Sequence, residues 1–183
     1  MAVLAIDPGA ATAGALILAC RPEPILFELH EPTAIQIYRA VRWAKDEAAA
    51  HGEKLELFTE GQYLARGDRA NPHSTLMIAR SAERWLFAAE LLGCRTAQEQ
   101  ASVWREPMIK TVDPGSGSKK KRTQLFAART WPELEIRRGE PATTEGEREP
   151  TAKMKSDPID AAVMARWRIG LSTKQAPLKR RSK

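Results

Sequence analysis

Four acidic residues carry the chemistry in this chain: Asp7, Glu60, Asp157 and Asp160. Each lies where an element starts or stops. Asp7 follows the apolar run Ala2–Ile6 and precedes Pro8-Gly9, which places it at the turn that ends a buried strand. Glu60 closes a second apolar run, LELFTE. Asp157 and Asp160 are three apart at the opening of the last helical pattern, so they share a helix face. Brought into one pocket, four carboxylates repel. Unit charges ~4 Å apart interact by about 4 kcal/mol at an effective dielectric near 20. Such a group takes up protons or splays unless cations sit among its members. Oxygen ligands with open positions suit Mg²⁺ or Mn²⁺ rather than zinc. Two cysteines and three scattered histidines offer no nitrogen–sulfur alternative. Two hard cations roughly 3.5–4 Å apart activate a water and stabilise the leaving oxygen of a phosphodiester. The chemistry of such a site is metal-assisted hydrolysis of nucleic acid.

Taken singly, each acid has a plainer reading. Asp before Pro-Gly is a common turn former, and Glu60 is a strand-end glutamate. Asp157 and Asp160, with Pro158 beside them, suit the first turn of a helix and its dipole with no catalytic purpose. The combination and its order carry the argument.

The elements that must position these acids follow from the apolar pattern. Ala2–Ile6 is the first strand. Ala15–Cys20 reads as a second, broken by Arg21-Pro22-Glu23-Pro24, and Ile25–His30 as a third. A helix starts at Pro32-Thr33, with Ala34, Ile37, Tyr38, Val41, Ala44 and Ala48 at helical spacing, and Gly52 ends it. Leu55–Glu60 is the fourth strand, parallel to the first and beside it. Gly61–His73 reads as a loop. Ser74 caps a helix running to Leu92, with an apolar stripe wide enough for the sheet on one side and a partner subunit on the other. Arg95–Val103 is the fifth strand, and Trp104–Thr111 is ambiguous between a short helix and a loop. A helix opens at Lys119 and ends before Pro132, residues 137–155 read as a mobile loop, and the last helix spans Pro158–Ile169.

At 183 residues the chain fits one domain with a real core. Cys20 and Cys94 read as buried small hydrophobes, which fits a reducing cytosol. The first apolar run stops at Asp7, too soon for a signal peptide or membrane span, so a cytoplasmic location is expected. Net charge is +6, but five basic residues and no acid fall in residues 171–183, so the body is nearly neutral. The distribution is more telling than the sum. Lys119, Lys120, Lys121 and Arg122 open a helix against its dipole, and could grip phosphates. Tyr63, Arg66 and Arg69 lie just past Glu60, placed to stack on exposed bases. His73, near the same loop, could help a proton transfer.

The string Asp7-Pro8-Gly9 with Gly14 five residues on, an acid at a later strand end, and the late Asp157-x-x-Asp160-Ala161 resemble the RuvC group of Holliday-junction resolvases, in the RNase H-like superfamily. The resemblance spans about Met1–Ile169. It implies an α/β, RNase H-like fold, a central mixed five-stranded sheet flanked by helices, as one nuclease domain over residues 1–170 with a basic, disordered tail over 171–183. It implies that Asp7, Glu60, Asp157 and Asp160 hold two Mg²⁺ ions, with Mn²⁺ able to substitute. A basic residue before a late helix assists in that group, and Lys120 or Lys121 matches it. Tyr63 resembles the aromatic placed at the junction centre, and the helix 74–92 resembles the group's dimer-forming helix. The implied activity is metal-dependent resolution of four-way DNA junctions by paired nicks, from a homodimer. The insertion at 137–155 and the basic tail depart from the bacterial pattern and look more like a phage-type member. Two other readings stand beside it: an RNase H-like nuclease for RNA–DNA hybrids or flaps, and a junction-binding protein without catalysis. Actin-like kinases also open with a strand and Asp-x-Gly, but need two such domains.

Overall fold

The structure, a computed structural model, describes residues 1–9, 11–61, 72–132, 136–138 and 156–175. Six strands form one sheet: β1 (Ala2–Asp7), β2 (Ala11–Leu18), β3 (Arg21–His30), β4 (Leu55–Glu60), β5 (Arg95–Glu99) and β6 (Ile136–Arg138). Their order is β5-β4-β1-β2-β3-β6. β1, β2 and β3 are antiparallel neighbours, whereas β4 pairs parallel with β1 and β5 parallel with β4. This is the expected mixed five-stranded sheet, to which β6 adds three residues parallel to β3. Residues 137 and 138, read from sequence as loop, belong to that added strand; three residues are too few to show a period.

The parallel crossovers are made by helices. α1 (Ala34–Ala50) joins β3 to β4, and α2 (Pro72–Leu91) precedes β5. Both pack on one sheet face, over a core that includes Leu4, Ile6, Leu16, Phe27, Leu57 and Trp85. The other face carries Val3, Ala5, Ala15, Phe58, Trp104 and Ile159. There α5 (Ser156–Gln175) lies on β1 and β2, and packs with α3 (Ala101–Ile109) and α4 (Lys119–Thr130). The period-2 alternation of β1 sends Leu4 and Ile6 one way and Val3 and Ala5 the other. α1 begins with a reciprocal cap: the Thr33 hydroxyl accepts from the Gln36 N–H while Gln36 Oε1 accepts from the Thr33 N–H.

Several boundaries differ from expectation. β3 runs straight through the two prolines because the β2–β3 register shifts between Leu16 and Leu18, and a bulge needs no donor there. β2 therefore ends at Leu18, and Cys20 falls in the turn: it is exposed, not buried, and Cys94 is half-buried. The turn is held by Glu53, whose carboxylate accepts from the Ala19 and Cys20 N–H groups and pairs with the α-ammonium. Partial burial pushes the Glu53 carboxyl up, but these donors outweigh it and hold it down to about 2. α2 starts at Pro72, two residues before the expected cap. β5 stops at Glu99, and α3 takes the following residues. α5 continues to Gln175, so residues 171–175 extend the helix, and residues 176–183 lie outside the described set. No helix among the described residues is long and apolar enough to cross a membrane.

Candidate metal centre

Asp7 and Glu60 are placed by strand register. Ile6 of β1 pairs with Thr59 of β4, so the next step sets Asp7 level with Glu60 at the C-terminal ends of two parallel strands. Side chains alternate along each strand, so Asp7 shares the face of Val3 and Ala5, and Glu60 shares that of Phe58. That is the face covered by α5.

α5 brings the third acid. Two turns before its C-terminal end, Arg168 forms an ion pair with the buried Glu56 of β4, its guanidinium 5.8 Å from the Phe58 ring, while Trp167 packs on the same ring at 5.7 Å. From Arg168 back to Asp160 is eight helical residues, about 12 Å. From Glu56 forward to Glu60 is four strand residues, about 13 Å. The two lengths match, so α5 runs antiparallel to β4 and sets its N-terminal end beside Glu60. Asp160 is 6% exposed there, buried in spite of its charge. Asp157 precedes it by three residues in the first turns of α5. Its side chain lies outside the described set.

An arginine joins the group. Arg105 of α3 lies 3.1 Å from Asp160 Oδ2 and 3.9 Å from Glu60 Oε2, through the same terminal nitrogen. Its guanidinium also sits 4.5 Å from the centre of the buried Trp104 ring. One full positive charge therefore lies between two carboxylates, where each contact has a scale of about 4 kcal/mol at an effective dielectric near 20. Sequence reading missed Arg105. Its only signal is a lone cation in a short helix after a weak strand, and nothing local ties it to acids 45 and 55 positions away.

The basic run divides. The Ser118 hydroxyl caps α4 by accepting from the Lys121 N–H. Lys119 pairs with Glu106 of α3, and that hydrogen bond and charge hold the Glu106 carboxyl below its usual range. Arg122 donates to the carbonyls of Ile109 and Val112, satisfying the end of α3. Lys119 and Arg122 thus tie α3 to α4. Lys120 and Lys121 stand exposed in the first turn of α4. Tyr63, Arg66 and Arg69 lie outside the described residues; His73 is exposed at the start of α2.

The donor set fits a hard divalent cation by its chemistry: carboxylate oxygens alone, with a cationic group already accommodated among them. As positioned, no three His, Cys, Asp or Glu side chains among the described residues form a cage around one point. Glu60 and Asp160 face the guanidinium instead.

Strand order, the antiparallel β1–β3 unit, the parallel β4 and β5 and the closing helix define an α/β fold of the RNase H-like class. Among solved structures it is similar to Thermus thermophilus RuvC in complex with a Holliday junction substrate, at TM-score 0.58 and 12% identity, over 96% of each chain. A second T. thermophilus RuvC structure is similar at TM-score 0.50 and 14% identity, over 94% of this chain and 98% of that one. The chain thus has a RuvC-like fold. No protein-family model matches it, and no curated protein matches its sequence.

Proposed function

We propose that this protein is a divalent-metal-dependent endonuclease that resolves four-way DNA junctions as a homodimer. The observation that carries the reading is that Glu60 and Asp160 share Arg105, while strand register sets Asp7 level with Glu60 on the neighbouring strand; the acids come from three segments far apart in the chain. The RuvC-like fold supports it, since T. thermophilus RuvC has been seen bound to a Holliday junction.

In this reading Asp7, Glu60, Asp157 and Asp160 hold two Mg²⁺ ions. When bound, these ions supply an activated water and stabilise the leaving oxygen of the phosphodiester. The residues do the rest. Asp7, at a rigid strand end, would offer its carboxylate to the metal from a fixed position. Asp160, buried and sharing Arg105 with Glu60, would supply a ligand from the helix side. Lys120 or Lys121 neutralises the phosphate at the exposed start of α4, and Tyr63, Arg66 and Arg69 meet unstacked bases. The outer face of α2 exposes Leu76, Met77, Phe87 and Leu91, an apolar stripe suited to a two-fold partner. Two sites so related would cut opposed strands of the junction.

The test is a labelled synthetic four-way junction, compared with an RNA–DNA hybrid and a flap, in Mg²⁺ and in EDTA. The junction is expected to be nicked in Mg²⁺ and not in EDTA. Asp7→Asn should lower cutting by more than about a hundredfold, the scale on which even the supports of metal ligands count. Junction binding, read by gel shift, should survive. Faster cutting of the hybrid or flap, binding without cutting, or an active Asp7→Asn would overturn the proposal.

A further inference from the structure

Arg105 stands between two of the acids proposed above to hold metal. Its terminal nitrogen is shared between Asp160 Oδ2 and Glu60 Oε2, at 3.1 and 3.9 Å, and its side chain is 22% exposed. Its Nε–H is buried and donates to no described group, so this seat satisfies the guanidinium incompletely. The Trp104 ring supports the group from beside the acids at 4.5 Å. A divalent ion bound through the same two oxygens would stand close to the guanidinium and repel it, and a guanidinium cannot shed its charge.

We propose that Arg105 is the resident cation of the metal-free pocket: it pairs with Glu60 and Asp160 until a divalent ion displaces it, so the two occupancies exclude each other. The inference rests on the metal site proposed above. Arg105 acts as a positioning residue. It holds the acids together without metal and prevents their mutual repulsion from opening the N-terminal end of α5. The cost falls on metal affinity, because only the fraction of molecules with Arg105 released can bind, and the apparent dissociation constant rises by the inverse of that fraction. A metal-free pocket kept closed in this way would load its ions only when they are plentiful.

The experiment is calorimetric titration of the DNA-free, full-length protein with MnCl₂, which needs no turnover. Arg105→Met is expected to bind Mn²⁺ about tenfold more tightly than the unmodified protein. Arg105→Gln, which keeps hydrogen-bonding capacity without charge, should show the same gain, and Arg105→Lys should restore the weaker affinity. In EDTA, Arg105→Met should melt at a lower temperature than the unmodified protein, and saturating Mn²⁺ should remove the difference. Unchanged or weaker Mn²⁺ binding in both neutral variants, with binding still lost in Asp160→Asn, would overturn the role of Arg105 alone. Mn²⁺ binding that ignores Asp160→Asn would overturn the metal site as well.

Discussion

A Cβ added at Gly14 would lie 2.1 Å from the tip of the Phe27 ring and 2.5–2.6 Å from its two flanking carbons. Gly14 and Phe27 are cross-strand partners in β2 and β3. The ring cannot swing aside, because Trp43 meets it edge-on at 6.3 Å and Trp85 lies against it at 6.2 Å. Gly14→Ala should therefore destabilise the protein by about 1–3 kcal/mol, the usual cost of overpacking. A urea titration checks this: the midpoint should fall with little change in slope. The glycine in the Asp-Pro-Gly…Gly string thus serves packing, one strand away from Asp7. At this scale the sequence was uneven as a guide. That Asp7 and Glu60 end strands could be read because each closes an apolar run, a signal carried by its own neighbours. Arg105 could not, because its meaning comes from register and helix packing. Cys20 was misread because an apolar neighbourhood is the mark both of a strand interior and of a short turn between two strands.

Among the elements, α2 shows both faces that its pattern suggested. Ala82, Trp85 and Ala89 are buried against the sheet, while Leu76, Met77, Phe87 and Leu91 are exposed. Leu76 and Phe87 are eleven residues apart, about three turns, and Met77 and Leu91 fourteen, about four, so they form one stripe. If that stripe is the dimer surface, Phe87→Glu with Leu91→Glu should give a folded monomer by sedimentation, with its melting temperature nearly unchanged. Paired nicking of a junction should fall to single nicks. A double variant that stays dimeric would move the interface elsewhere. β4 was legible to the residue because Leu55, Leu57 and Phe58 make a short run bounded by Lys54 before it and Gly61 after it. β5 and β6 were not, since RTAQE is polar for a strand and IRR is too short to show alternation. Helix starts were displaced where the cap was inferred from type alone, as at Ser74, and correct where Thr33 and Gln36 form a reciprocal pair.

At the scale of the whole molecule, a near-neutral body with basic clusters at residues 119–122 and in 171–183 suits a partner that is anionic and large. The sheet order does the long-range work. β4 joins β1 in parallel, α5 lies antiparallel to β4, and the acids of residues 7, 60 and 160 arrive at one end of the sheet. From sequence these positions were linked only as a coincidence of types, and the topology supplies a physical cause for their sharing one end of the sheet. Crystals of the full chain soaked in Mn²⁺ and measured at the manganese absorption edge test this most directly. The expected result is anomalous density within coordinating distance of Asp7, Glu60 and Asp160, with Arg105 withdrawn from both of its carboxylates. Manganese bound only elsewhere, with Arg105 still seated between Glu60 and Asp160, would contradict it.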